Sequence, residues 1–113
     1  MKEDSSSIII VDVRDTDYTS GCIPNSRHIP FDSFKTRAPF LIENISQMSK
    51  PPKRIIFHCH KSQSRGPRAA KMFQSLVAGQ ISGIQTCILY GGWSAWRDTF
   101  KDEPDLIEPI TPS

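Results

Sequence analysis

The stretch RIIFHCHKSQSRGPRAA, residues 54–70, places a strand, a loop and the start of a helix in one run. Its first part, Arg54–Cys59, is rich in β-branched and aromatic residues, which predicts a strand buried on both faces of a parallel sheet. A helix is predicted over Gly66–Ala78, because Pro67 suits a first helical turn and apolar residues follow on one face. The run therefore predicts a thiol at the end of a buried strand, just before a polar loop and a helix.

Strands and helical segments alternate along the rest of the chain. Strands are predicted at Ile8–Val13, His28–Pro30 and Thr86–Tyr90, and helices at Phe31–Met48, where Pro39 should split the helix into two, and at Trp93–Phe100. Such alternation is typical of parallel β-α-β units, so the predicted fold class is α/β, an open parallel sheet flanked by helices. Ligands of such sheets bind beyond the carboxyl ends of the strands, where Cys59 is expected.

Length and composition limit the classes of protein that remain. The 113 residues suit a single domain over 1–113, with its core at about 8–100, a polar N-terminus and a proline-rich C-terminal tail. A formal charge of +2 is too small to favour nucleic acid. The three cysteines have no metal-ligand or disulfide spacing, so no metal is predicted and a reducing compartment is favoured. No membrane span or signal peptide is visible, so we expect a cytoplasmic protein, with the nucleus as a second compartment.

The loop after Cys59 has the composition of an anion-binding ring. Its small and polar residues let backbone N–H groups converge on one point, and they are His60, Lys61, Ser62, Gln63, Ser64 and Arg65. The positive end of the following helix adds to this field, and both effects stabilise a thiolate. Arg65 supplies a planar fork for two oxygens of a tetrahedral oxyanion. The loop thus predicts a pocket for phosphate, arsenate or a sulfate-like group, with Cys59 as nucleophile; the alternative is a structural cysteine at a strand end.

Neighbouring side chains have less certain roles. His58 could order the loop and support the thiolate, or be a buried histidine with its hydrogen bonds satisfied. His60 and Lys61 should point outward, where they either attract anions or are simply solvated. Asp12 and Arg14 are predicted to form a buried structural pair, since buried charges are nearly always paired.

A general acid and a second redox thiol are harder to choose. Four acidic residues qualify for the acid by type only: Asp15, Asp98, Asp102 and Glu103. Cys87 lies in a predicted buried strand and is expected in the core. Cys22 lies in a predicted turn, where a surface thiol is expected, although it could resolve an oxidised Cys59. Trp93 and Trp96 are expected to pack the last helix onto the sheet.

Three segments together resemble one family. HCHKSQSRGPRAA (58–70) resembles the active-site loop of rhodanese-like domains, in the branch of the M-phase-inducer-type dual-specificity phosphatases and the eukaryotic arsenate reductases. VDVRDTDYTSGCIPNSRHIP (11–30) resembles the opening segment of that family, and LYGGWSAW (89–96) its closing segment. The resemblance covers about residues 8–100 and implies a central parallel sheet flanked by helices. Ser64 departs from the M-phase inducers, which have a glutamate there, and so argues against a cell-cycle role.

The resemblance implies a protein-tyrosine or dual-specificity-type phosphatase, a hydrolase, or an arsenate reductase. The loop is one residue longer than in most sulfurtransferase rhodaneses, which fits phosphate or arsenate. The resemblance implies no cofactor for a phosphatase. For an arsenate reductase it implies glutathione and glutaredoxin as the reductant, with glutaredoxin as a protein partner. Two alternatives stay open: a thiosulfate-type sulfurtransferase with a Cys59 persulfide, and a non-catalytic rhodanese-like binding module.

Overall fold

The computed structural model describes residues 8–15, 18, 21–49, 52–61, 64–77 and 83–107. Four strands are present there: β1 (Ile8–Asp12), β2 (Arg27–His28), β3 (Arg54–His58) and β4 (Gln85–Ile88). Three α-helices accompany them in these ranges: α1 (Phe34–Ser46), α2 (Arg65–Val77) and α3 (Gly92–Phe100). Short 3-10 turns cover Phe31–Ser33 and Pro104–Leu106. Each predicted strand and helix is present, with bounds that differ by a few residues. The predicted last residue of the second helix, Ala78, lies outside the described residues.

The four strands form one parallel sheet in the order β2-β1-β3-β4. The connections through α1 and α2 both step across the sheet in the same direction. Because such crossovers are right-handed, the two helices should share one face, and they contact each other. The predicted α/β class, a parallel sheet flanked by helices, is confirmed.

The core fills the space between the sheet and the α1–α2 layer. Phe57 lies at its centre, with its ring 5.7 Å from that of Phe34 on α1 and 5.4 Å from that of Phe73 on α2. The inward residues of β1 and β3 pair in register, as Ile9 with Ile55 and Val11 with Phe57. This packing fixes the height of the two strands and therefore the position of their carboxyl ends.

Pro39 does not split the helix that contains it, so this prediction was wrong. α1 runs without a break from Phe34 to Ser46, and Pro39 lies on its exposed side. A proline in a helix removes one backbone hydrogen bond, at a cost of about 3 kcal/mol. The opposite side of α1 buries five side chains, which offsets that cost: Phe34, Ala38, Leu41, Ile42 and Ile45.

The tail is ordered as far as the structure describes it. Trp96 donates its indole N–H to the carbonyl of Leu106 at 2.7 Å, and its ring packs on Phe100. Trp96 therefore contacts the tail, whereas Trp93 is buried, with 1% of its surface exposed. No helix among the described residues is long and apolar enough to cross a bilayer.

Candidate active site

Cys59 directly follows β3, at the carboxyl edge of the sheet. The side chain is only 3% exposed, and its Sγ accepts the backbone N–H of Gly66 at 3.4 Å. Gly66 is the second residue of α2, so this donor belongs to the positive end of the helix. The position and the field predicted for the nucleophile are thus both present.

Gly66 allows the helix end to approach the strand this closely. A Cβ at this position would lie 3.3 Å from the Cα of His58 and 3.4 Å from the backbone N of Cys59. Both neighbours belong to the backbone at the end of β3, which cannot rotate away as a side chain could. The glycine therefore sets the distance between the sulfur and the α2 terminus.

Arg65 is the first residue of α2 and directly precedes Gly66, whose backbone N–H contacts the thiol. Its Nη1 donates to Oδ2 of Asp15 at 3.2 Å, with both side chains about a quarter exposed. The other oxygen of Asp15 accepts the backbone N–H of Asp32 at 3.0 Å. Of the four acidic residues considered as general acid, Asp15 is the one that contacts Arg65, across 50 residues of sequence.

The loop is also held by the start of α3, which the sequence alone did not indicate. Trp93 donates its backbone N–H to the carbonyl of Cys59 at 3.0 Å, and Ser94 donates to that of His60 at 2.8 Å. Gly91 and Gly92 make this entry to the helix possible, with φ of 77° and 59°. The helix start after these glycines was predicted from the sequence, but its contact with the loop was not, because that contact joins residues far apart in the chain.

His58 is fully buried between the β1 end and the loop. Its Nδ1 lies 3.2 Å from the carbonyl of Cys59, which can only accept, so Nδ1 carries the proton. Nε2 has no hydrogen bond and lies 3.8 Å from Oδ2 of Asp12. Burial lowers the pKa of His58 below 6.5 and outweighs the opposing influence of Asp12. In the neutral ring Nε2 carries a lone pair and no proton. It therefore cannot donate a hydrogen bond to the Asp12 carboxylate that it faces.

Asp12 and Arg14 form the buried structural pair that the sequence predicted. The Arg14 guanidinium donates Nε and Nη2 to the carboxylate at 2.6–3.0 Å, and Nη2 also donates to the carbonyl of Gly21 at 2.9 Å. The rings of Tyr18 and Trp93 each lie 4.9 Å from the guanidinium carbon. The pair therefore ties β1 to the following loop and to α3, whose backbone amides hold the carbonyls of Cys59 and His60.

The predictions for the two remaining cysteines were wrong. Cys22 is 4% exposed and forms a hydrogen bond with Tyr18, whose ring stacks on that of His28 at 3.6 Å. Burial, and then the hydrogen bond with Cys22, raise the pKa of Tyr18 from 10.0 to about 12. Cys87 is only half-buried, since it lies on the edge strand β4 and faces away from α1 and α2. Neither position follows from local sequence.

The other predicted loop residues occupy varied positions. His60 is half-buried, Lys61 and Ser64 are exposed, and Ser62 and Gln63 lie outside the described residues. Asp98, Asp102 and Glu103 are exposed, and Asp98 contacts its neighbour Arg97. The described ranges contain no group of three or more His, Cys, Asp and Glu side chains suited to a metal ion.

Comparison with known proteins places this geometry in a family. Residues 1–99 match the rhodanese-like domain. The dual specificity phosphatase ibp1 of Schizosaccharomyces pombe is 31% identical, over 96% of this chain and 88% of the relative. Arsenical-resistance protein 2 of Saccharomyces cerevisiae is 32% identical, over 78% of this chain and 72% of the relative.

Solved structures agree with the sequence relatives. Ygr203w of Saccharomyces cerevisiae, described as a protein tyrosine phosphatase of the rhodanese family, has a TM-score of 0.76 at 28% identity, over 93% of this chain and 78% of its own. The As-Sb reductase of Leishmania major has a TM-score of 0.74 at 26% identity, over 96% of this chain and 75% of its own. A parallel sheet that presents Cys59 and Arg65 on a strand–loop–helix thus has its counterparts among phosphatases and arsenate reductases, and the chain belongs to the rhodanese-like domain family.

Proposed function

We propose that the chain is a cysteine-dependent enzyme that attacks a tetrahedral oxyanion, as a phosphatase or an arsenate reductase. Relatives of both kinds, with names such as dual specificity phosphatase and arsenate reductase, support the two activities. The observation that carries the proposal is the contact of the Cys59 sulfur with the amide of Gly66, beside Arg65. The amino end of a helix attracts an approaching anion, and a cysteine at that end is placed to attack it.

For a phosphate ester, the Cys59 thiolate attacks phosphorus in line with the ester oxygen. The bond between phosphorus and that oxygen breaks, and the leaving oxygen takes a proton. Water then attacks the cysteinyl-phosphate, which releases phosphate and restores the thiolate. Backbone amides from His60 to Arg65 and the Arg65 guanidinium are assigned to the charge on the equatorial oxygens. Asp15, whose two carboxylate oxygens accept the N–H groups of Asp32 and Arg65, is assigned to positioning Arg65, and the proton for the leaving oxygen comes from water.

For arsenate, the same attack forms a Cys59–arsenate adduct with loss of water. Reduction of arsenic from the pentavalent to the trivalent state needs two electrons, which thiols supply. Glutathione would attack the Cys59 sulfur, release arsenite and leave a mixed disulfide, which glutaredoxin would then reduce. Glutathione and glutaredoxin are therefore the reductant and partner we assign to this activity; the ester reaction needs no cofactor. We place the enzyme in the cytoplasm, with the nucleus as a second compartment.

The first test measures hydrolysis of p-nitrophenyl phosphate and arsenate-dependent oxidation of glutathione. We expect Cys59→Ser to lower whichever activity is present by at least about 10³-fold, on the scale of removing a catalytic nucleophile. Cys87→Ser, at a half-buried thiol on the sheet edge, is the matched control and should retain it.

Added arsenate should compete with the ester, because both would occupy the same pocket. Activity retained in Cys59→Ser would rule out the mechanism. Absence of both activities, together with sulfur transfer from thiosulfate to cyanide, would favour the persulfide alternative instead. Absence of all three would leave the binding module.

A further inference from the structure

A groove of about 510 Å³ runs along α2, outside the site described above. One wall is α2. The other is the 3-10 turn Phe31–Ser33 with the first residues of α1. Its floor is apolar, formed by Phe31, Met72 and Leu76. Pockets of about 300–1,000 Å³ are of the size that takes small ligands or a few side chains.

The rim of the groove is cationic. Lys35, Arg68 and Lys71 line it, all three are exposed, and no carboxylate of a described residue contributes to its lining. Within the described part of the chain, none of the three forms an ion pair with an acidic side chain. Asp32 lies in the same turn as Phe31 but outside the lining. The groove therefore offers positive charge at the surface and apolar area beneath it.

Both walls of the groove meet at the candidate active site. Asp15 accepts the N–H of Asp32 on one wall with Oδ1, and it accepts Arg65 on the other wall with Oδ2. α2 begins at Arg65, and Arg68 follows three residues later, so the two arginines are neighbours on the helix surface. A ligand whose phosphate lies at Arg65 could therefore continue into the groove past Arg68.

An arsenate ion would gain nothing from such a groove, because it has no apolar part to cover the floor and no further charged groups to reach the rim. A phosphorylated protein segment would gain from both parts, since an apolar side chain could cover the floor while neighbouring carboxylates pair with the rim. A bilayer is a poorer fit, because membrane-binding surfaces project their apolar side chains, whereas here they are recessed below the cations.

We infer that this groove binds an acidic segment of a phosphoprotein substrate, one that carries an apolar residue beside its acidic residues. The inference rests on the proposed function, and it favours the phosphatase activity over arsenate reduction. Lys35 and Lys71 select the acidic residues, and Met72 contacts the apolar one.

The test compares two phosphotyrosine peptides that share one apolar residue, with Asp and Glu flanking it in one and Asn and Gln in the other. Hydrolysis of p-nitrophenyl phosphate reports on the catalytic loop alone. The variant is the double substitution Lys35→Gln with Lys71→Gln. The matched control is Lys53→Gln, which neutralises an exposed lysine at the amino end of β3, the opposite edge of the sheet.

We expect the wild type to prefer the acidic peptide by about tenfold or more in kcat/KM, equivalent to about 1.4 kcal/mol. The double variant should lose this preference through a higher KM for the acidic peptide, and Lys53→Gln should retain it. Met72→Gln should raise KM for both peptides without a change in p-nitrophenyl phosphate hydrolysis.

If the wild type turns over the two peptides equally and still hydrolyses p-nitrophenyl phosphate, the inference about the groove is wrong. The proposed function would then remain intact. Failure to hydrolyse any of the three substrates would instead contradict the phosphatase itself. Binding to phosphatidylserine-containing vesicles that the double variant loses, without a peptide preference, would assign the groove to a lipid surface and overturn the inference.

Discussion

The carboxyl ends of β1 and β3 lie side by side, but the buried polar side chains at the two ends differ in how many hydrogen-bond partners they have. Asp12 pairs with His58 in the sheet register, so the two ends are at the same height. At the β1 end, the Arg14 guanidinium donates to the Asp12 carboxylate and to the carbonyl of Gly21. It also lies against two aromatic rings, those of Tyr18 and Trp93. At the β3 end, His58 leaves one ring nitrogen without a hydrogen bond.

The difference indicates that the two strand ends have different roles. A buried ion pair with several hydrogen bonds in fixed directions has one stable geometry, and it fixes the loop and helix around it. The strand end beside it carries the thiol of Cys59, next to the amino end of α2. The β1 end is accordingly a support, and the β3 end carries the residue to which we assign the reaction.

The largest effect on stability should come from breaking the support. Arg14→Met leaves the Asp12 carboxylate buried without its partner, which typically costs about 3–5 kcal/mol. Urea denaturation measures the change in the free energy of unfolding. Arg97→Met removes an arginine from an exposed pair with Asp98 and should cost only about 0–1 kcal/mol. Equal losses in the two variants would contradict the assignment of the β1 end as support.

A smaller loss is expected where α2 approaches the β3 end. Gly66→Ala improves helix propensity, but its Cβ must press on the backbone of His58 and Cys59. Overpacking of this kind costs about 1–3 kcal/mol. The displaced sulfur should also lower kcat/KM for p-nitrophenyl phosphate by at least about tenfold, since small misplacements of reacting groups are costly.

Gln74→Ala, at an exposed position of the same helix, is the control and should change the free energy of unfolding by no more than about 0.5 kcal/mol. A Gly66→Ala variant that is as stable and active as this control would show that the close approach of helix and strand is not required.

The pH dependence of stability should report on His58. Its pKa is lowered in the folded protein, so the unfolded chain binds the proton more readily. The stabilising contribution is therefore complete above pH 6.5 and is lost as the pH falls below it, by at most about 1.4 kcal/mol per pH unit. His58→Gln should remove this slope in denaturation series, and His60→Gln should keep it. An unchanged slope in His58→Gln would assign it to another group.

The smallest expected effect is a shift in the titration of Tyr18, whose ring lies against the Arg14 guanidinium at the β1 end. Tyr18 should form its phenolate near pH 12, as judged by absorbance in a Tyr90→Phe background that removes the exposed second tyrosine. Cys22→Ala removes the hydrogen bond that contributes to this shift and should move the titration towards 10.0. A transition at 10.0 already in the parent would contradict the burial of Tyr18 in this loop.

Local sequence was sufficient to predict the strands, the helices and the position of Cys59. Continuous β-branched runs indicate buried parallel strands, and Gly-Pro after a polar loop indicates a helix start. The Asp12–Arg14 pair was also predictable, because two opposite charges two residues apart at a buried strand end have to meet. These features depend on neighbours within a few residues.

Tertiary structure alone decided the contacts between distant segments. Asp15 reaches Arg65 across 50 residues, and the amides of Trp93 and Ser94 hold the loop from a helix that follows another strand. Pro39 remains inside a helix because burial on the opposite side offsets its cost. Periodicity and turn chemistry describe only local conformational preferences, whereas these contacts depend on how the sheet brings its strand ends together.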